Sequence, residues 1–403
     1  MIDKIIHYSI THKINIGMMV IAIIAGGIWA MNSINVDSTP DITNNQVQVI
    51  TVSPNLSTTD IEQYVTYPVE MAMSNLPGVE DLRSISRFGL SVVTVIFKEN
   101  MGTYLPRQLV QEKLNEVKDN IPEGFGTPEM GPISTGLGEI LQYTLIADTG
   151  MYTAQELRTL QDWTVKRQLN MIPGVVEVNS FGGSVKQYEI AFSPAKLNAL
   201  HVSINELFEA LHKNNINTGG AYIEKDHKAN FIRGDGIIKS LDDIKNIVVK
   251  NTSGVPITIG DAADEVHYGS PMRYGAFTQD GHEAVGGTIL MLKGANSAEV
   301  IGKVKSRLSE IQRTLPPGVQ IKPFLDRSQL IERTTSTIAS NLTEGALIVI
   351  FVLVVLLGSL RGGLVTASVI PLSLLFAFIL MRIFGVGANL MSLGAIDFGI
   401  IVD

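Results

Sequence analysis

Ser57-Thr58-Thr59-Asp60 opens a helix-like run that closes at Pro77-Gly78-Val79, and Thr153-Ala154-Gln155-Glu156 opens another that closes at Pro173-Gly174-Val175. Each opening is a capping signal: the hydroxyl accepts a hydrogen bond from an orphan helix N–H, and the acid three residues on favours the positive helix end. Each closing pair places a helix-breaking proline before a glycine free to turn. The distance from cap to proline is 20 residues in both, and the two copies lie 96 residues apart. A third pass runs from Ser297 to Pro317-Gly318-Val319, again over 20 residues, without an acid at its fourth position.

Strand-like runs frame these helices. Gln46–Ser53 precedes the first, and Val79–Phe88 and Leu90–Phe97 follow it. Ile140–Ala147 precedes the second, and Val175–Phe181 and Val185–Phe192 follow. The third has Val285–Leu292 before and Val319–Phe324 after. Units of this length predict repeated ferredoxin-like βαβ subdomains, an α+β fold, at about residues 46–98, 140–192 and 285–324.

Outside the repeats the chain turns apolar. Ile14 to Ile34 carries no charge and is long enough to span a bilayer, which takes about 20 residues. Met31-Asn32-Ser33-Ile34 is a poor signal-peptidase site, so the segment reads as a retained first transmembrane helix. Lys4 and Lys13 before it and Asp37 after it put the N-terminus in the cytoplasm. Leu342 to Leu360 and Leu364 to Met381 read as a second and a third span, joined by Ser359-Leu360-Arg361-Gly362-Gly363. Pro371 is tolerated in the third because neighbouring helices can satisfy the freed backbone groups. After a turn at Arg382–Ala388, Asn389 begins a fourth helix, and the sequence stops inside it at Asp403, as the N-terminal piece of something longer would. The expected order is a first helix over residues 1–35, an external domain over 36–340, and helices two, three and part of four over 341–403.

Composition agrees with a membrane protein. Of 403 residues 45% are hydrophobic and 17% charged, where a soluble domain carries about 25%. The absence of cysteine excludes disulfides, thiolate metal sites and cysteine nucleophiles. A net charge of −8 excludes nucleic acid as a partner. Gly302-Lys303 is followed by Val304 without phosphate-cradling glycines, and no nucleophile elbow occurs, so neither nucleotide hydrolysis nor another enzyme activity is expected, and no cofactor. Seven histidines form no close pair and read as surface or capping residues of turns and helix ends; the 14 methionines read mostly as packing.

The strongest chemical signal is Asp397-Phe398-Gly399-Ile400-Ile401-Val402-Asp403. Carboxylates inside a membrane helix are expensive and mark ion or proton paths. Six residues of helix separate the two by about 9 Å of rise and about 120° of rotation, which suits a relay with separate partners better than a shared metal. Burial would raise both pKa values toward neutrality. The bland alternative places one of them at the rim of the helix. Glu139, at the mouth of a strand in Gly136-Leu137-Gly138-Glu139-Ile140, and Glu177 on a short strand are candidate oxygen ligands for a hard or borderline cation, against the alternative of solvent-exposed strand ends.

Asn341-Leu342-Thr343-Glu344-Gly345, Gly358-Ser359-Leu360-Arg361, Ile370-Pro371-Leu372-Ser373 and Asn389-Leu390-Met391-Ser392-Leu393-Gly394-Ala395 read like the second to fourth helices of a resistance–nodulation–division transporter. Asp397–Asp403 resembles the fourth-helix motif of its heavy-metal efflux branch, and Val36-Asp37-Ser38-Thr39-Pro40-Asp41-Ile42 and Gly136–Ile140 are similar to that branch as well. The resemblance covers the whole chain, a little under half of a full transporter. It implies an α-helical transmembrane bundle with a periplasmic α+β porter domain, in a homotrimeric inner-membrane pump of Gram-negative bacteria. It further implies a periplasmic adaptor and an outer-membrane channel as partners, and export of divalent cations (zinc, cobalt, cadmium, nickel) in exchange for protons. Asp397 and Asp403 would belong to the proton-translocating machinery, and Glu139 and Glu177 to the porter-domain metal path. Two alternatives stay open: multidrug export by a relative of the same superfamily, whose fourth helix carries adjacent aspartates, and a membrane-anchored binding or assembly module.

Overall fold

The computed structural model describes residues 2–34, 37, 41–54, 56–147, 150–252, 254–273 and 275–387. The chain forms two compact units, one of residues 1–144, 165–180 and 287–403, the other of 145–164 and 181–286.

In the first unit a four-stranded sheet is built from β1 (Asn45–Val52), β2 (Val79–Arg87), β3 (Leu90–Phe97) and β4 (Glu129–Met130), in the order β2-β3-β1-β4. Antiparallel pairing sets Val47 opposite Val95 and Val49 opposite Val93. Alternation turns those four valines to one face, where they bury against Val65, Val69 and Met73 of a helix over residues 58–74 and Val110 and Leu114 of the helix Tyr104–Val117. Each such fully buried side chain stabilises the fold by about 1.5–3 kcal/mol. The first helix starts as its sequence demands, with Ser57 Oγ accepting from Asp60 N at 3.2 Å. Its middle, Glu62–Thr66, widens into a π turn, and Thr66 Oγ1 shares hydrogen bonds of 2.8 Å with the hydroxyls of Ser86 and Ser91. Gly78 then turns the chain with φ +80°, a conformation open to glycine.

The second four-stranded sheet corrects the expected pairing. It contains β5 (Glu139–Ala147), β6 (Val175–Gly182), β15 (Val285–Met291) and β16 (Val319–Asp326), in the order β16-β5-β15-β6. The second and third passes of the repeat therefore supply one sheet, not two. Both sheets share one wiring, strand–helix–strand–strand–helix–strand with the first strand central, which is the split βαβ arrangement. Thr153 forms the full capping box with Glu156. The third helix begins one residue from the expected place: Asn296 is the cap, it accepts from Glu299 N at 3.1 Å, and Glu299 is the acid the expected register lacked. Gly174 and Gly318 repeat the positive φ of Gly78, at +95° and +85°.

Gln187–Phe192 (β7), expected beside β6, pairs instead with Ala263–Gly269 (β12) in the second unit. The hairpin β8 (Thr218–Lys225) and β9 (Lys228–Gly234) turns through Asp226 and His227, both at positive φ. All of its residues are exposed, Phe231 to 82%. β10 (Val248–Thr252) pairs with β11 (Val255–Thr258), and β13 (Thr278–Gln279) with β14 (His282–Glu283). A small core of Ala210, Ile244, Ile247, Ile259 and Val266 holds this unit. His201 caps a helix and His227 sits in a turn, as expected, but His267 lies within β12 opposite Glu189.

Among the described residues two helices are long and apolar enough to cross a membrane, Lys13–Met31 and Leu360–Phe384. The first matches the expected span, within the helix Lys13–Ser33. The expected second span is only the apolar end of a longer helix, Arg327–Leu357, capped by Asp326. It stops at Gly358, in the left-handed region, and Ser359 caps the next helix by accepting from Gly362 N at 3.2 Å. Arg361 thus sits in the first turn of a helix, not in a loop as expected. Leu360–Ala367 and Val369–Phe384 are separated at Ser368, because Pro371 has no N–H to return to Ala367. The expected fourth helix from Asn389, with Asp397 and Asp403, lies outside the described residues.

Candidate functional site

The linker from β4 to β5 leads into the first site residue. Glu139 is the first residue of β5 and is exposed, its carboxylate accepting from Gln142 Nε2 at 3.0 Å. The loop before it is tight. Gly138 N donates to Thr135 O at 2.9 Å, Met291 N donates to Gly138 O at 2.7 Å, and Ser134 Oγ donates to Met291 O at 3.1 Å. A Cβ on Gly138 would lie 1.9 Å from Ser134 Oγ, so a larger residue there would push that hydroxyl off its place on Met291 O.

Glu177, half-buried on β6, lines a cleft of about 1110 Å³. The opposite wall is the outer face of β1, Gln46 and Gln48, whose alternation with the buried valines turns them away from the core. Glu129 on β4 and Asn179 on β6 add further oxygen atoms, and Arg107 adds one cation. Burial holds the Arg107 guanidinium below its ordinary pKa, yet an arginine keeps its charge at any physiological pH. Carboxylate and amide oxygens suit a hard or borderline cation, and a fixed guanidinium among them keeps the field from becoming uniformly negative. The structure brings Glu177 into this cleft; Glu139 is not among its lining residues. Among the described residues no group of three or more histidines and acids gathers as a closed metal site.

A second feature was not legible in the sequence. Arg327, the first residue of its helix, is buried with only 8% of its side chain exposed, and its Nη2 donates to Asp37 Oδ1 at 2.8 Å. Its Nη1 donates to the carbonyl oxygen of Leu137. Asp37 Oδ2 accepts from Ser297 Oγ at 2.9 Å. Beside it Asp326 pairs with Lys305 at 2.5 Å; burial pushes this carboxyl up, but hydrogen bonds from Lys305 and Ser328 outweigh it and hold the pKa below the ordinary value. Asp41 is likewise held low: burial raises it, and hydrogen bonds from Thr43 and Thr135 with the nearby charge of Lys293 outweigh that. The sequence reading used Asp37 only as an orientation mark for the first helix, and its partner lies 290 residues away.

Compared with known proteins, the chain is 45% identical over its whole length to the cation efflux system protein CzcA of Alcaligenes sp. (strain CT14), of which it covers 38%. It is also 45% identical, with the same coverage, to the cobalt-zinc-cadmium resistance protein CzcA of Cupriavidus metallidurans. It thus spans somewhat over a third of the length of these curated relatives. A crystal structure of a heavy metal efflux pump superposes on 97% of the chain with a TM-score of 0.88 at 36% identity, the chain covering 39% of that protein. Residues 5–403 match the AcrB/AcrD/AcrF family throughout, and the chain belongs to that family.

Proposed function

We propose that the full-length protein exports divalent heavy-metal cations of the zinc, cobalt, cadmium and nickel kind across the cell envelope, driven by protons moving the opposite way. The observation that carries this reading is the 45% identity, across an alignment that covers the whole chain, to proteins named for cation efflux and for cobalt-zinc-cadmium resistance. It is a secondary transporter, not an enzyme, and needs no cofactor beyond the transported ion and protons. It sits in the inner membrane as a multi-pass protein, residues 36–340 forming a periplasmic porter and docking domain of ferredoxin-like subdomains. It works as a homotrimer with a periplasmic adaptor and an outer-membrane channel. The β8–β9 hairpin supports self-association, since Tyr222, Ile223, Phe231 and Ile232 stand exposed on it, an apolar surface that a second copy would cover.

In this reading the cation meets oxygen donors in the external domain, with Glu177 in the cleft and Glu139 at the loop, each exchanging a hydration water for a carboxylate oxygen. Weak, open coordination suits transport, because an ion held by few ligands can leave again. Asp397 and Asp403 take and release the protons, each in a membrane environment that penalises its charged form. Protonation of one favours a helix arrangement that its ionised form does not, and that difference is what the proton gradient drives.

The test expresses the full-length gene with its adaptor and channel in a metal-sensitive bacterium, and measures cellular zinc, cobalt, cadmium and copper with and without Asp403→Asn. Lower divalent-metal content, lost in the variant, is expected. Unchanged metal content in both strains overturns the reading and favours multidrug export.

A further inference from the structure

We propose that Arg327 is a positioning residue that couples the membrane helices to the metal loop: its guanidinium fixes the carbonyl of Leu137, two residues before Glu139, to the start of the helix Arg327–Leu357 and to the segment leaving the first membrane helix. The proposal rests on the metal-efflux reading above.

Three chain segments far apart in sequence meet at this one side chain. Arg327 Nη2 holds Asp37 at 2.8 Å, four residues beyond the helix Lys13–Ser33. Nη1 holds the Leu137 carbonyl. Asp37 carries the tie onward to Ser297, at the start of the helix Ser297–Gln312, and Lys305 of that same helix grips Asp326 at 2.5 Å and Ser328 Oγ at 2.7 Å. The first turn of Arg327–Leu357 is therefore clamped on both sides of Arg327.

The loop has no slack to absorb movement. Its turn is closed by Gly138 N to Thr135 O, and its far end is pinned to β15 by Gly138 O and Ser134 Oγ. A displacement of Leu137 C=O passes directly to Glu139. A buried ion pair is a poor way to gain stability, since an apolar pair of similar volume does as well or better, so its use here points to geometry. Arginine suits this place better than lysine: its planar fork presents separate N–H groups to a carboxylate and a carbonyl in fixed relative directions, whereas an ammonium on a flexible stem imposes no such geometry.

The test uses the full-length protein with Arg327→Lys, which keeps the charge, and a second variant, Asp37→Asn with Arg327→Met, which leaves no unpaired buried charge. In proteoliposomes Arg327→Lys is expected to lower the maximal rate of zinc transport about tenfold with a KM within about twofold of the parent, since the ligands remain and only their coupling is lost. Spin labels on Gly136→Cys and Glu332→Cys, both exposed positions, read the tie without transport. The interlabel distance is expected to be narrow in the parent and broad in both Arg327 variants. Parent-like width and rate in the variants overturn the proposal. A parent protein that moves no metal while its variants still broaden the distance defeats the efflux reading and leaves the tie standing; a variant that raises KM alone makes Arg327 part of the binding site and overturns the coupling role.

Discussion

Gly27 lies so close to Leu375 that a Cβ in its place would sit 2.5 Å from the Leu375 Cβ and 3.1 Å from its Cα. The helix Lys13–Ser33 meets Val369–Phe384 at this point, with Ala30, Ile34 and Phe378 buried beside it. Lipid tails are as apolar as leucine, so helices in a membrane gain by close backbone approach, and small residues permit it.

Gly27→Val is therefore expected to separate the two helices. Overpacking of this kind costs about 1–3 kcal/mol. A lower thermal midpoint and less folded protein recovered from membranes would be the measured result, with Gly17→Val, whose Cβ meets nothing within 4 Å, close to the parent.

Gly174 combines a φ of +95° with an approach to Val300, whose Cγ2 would stand 2.6 Å from an added Cβ. Left-handed backbone costs a residue with a side chain roughly 1–2 kcal/mol. Gly174→Ala should destabilise by that strain plus the clash, and adding Val300→Ala should recover the clash only. Denaturation of the three proteins separates the two parts; full recovery by Val300→Ala would mean that the backbone is not strained.

Asp326 provides a pH signature. Its carboxyl is held below the ordinary value, so the unfolded chain binds the proton more readily than the folded one. The stability it contributes is complete above the ordinary carboxylate pKa of about 4 and is lost as pH falls through the lower, folded value. Asp326→Asn keeps a helix-capping side chain but not the pairing with Lys305. The variant should melt lower than the parent near neutral pH, with the gap closing in acid. A gap independent of pH would mean that the pairing adds nothing.

The sequence was readable where a local signal decides the structure. Ser57 and Thr153 cap their helices as read, and the uncharged run Ile14–Ile34 falls on the helix Lys13–Ser33, long and apolar enough to cross a membrane. The third helix was displaced by one residue because asparagine caps as well as serine, and Asn296 won. The helix Tyr104–Val117 went unread: Thr103 makes no capping hydrogen bond, and Pro122-Glu123-Gly124 puts a residue between proline and glycine. Neighbouring strands usually pair, which suggested β6 with β7, but residues 183–284 intervene before the second sheet resumes at β15. Hydropathy sees only the apolar end of Arg327–Leu357, since its first half is a polar helix outside any span. The cleft residue Glu177 was named from sequence, whereas Arg107, Glu129 and the Asp37–Arg327 pair depend on contacts that no spacing reveals.

Glu177 and Glu139 should behave differently. Glu177→Gln removes a charge from the cleft and is expected to raise the KM for zinc transport several-fold, about 3- to 10-fold, with little change in maximal rate. Glu139→Gln, at the loop tied to Arg327, is expected to lower the maximal rate as well. Zinc titrations of transport by the two full-length variants decide this, and equal effects would remove the distinction.

The claim on which the account depends is exchange of metal for protons through the fourth-helix aspartates. Full-length protein in proteoliposomes with an acidic lumen should take up zinc, cobalt or cadmium as protons leave, and Asp403→Asn should abolish both fluxes while the variant still binds zinc. Metal uptake that persists in Asp403→Asn, or that ignores the pH gradient in the parent, would contradict it.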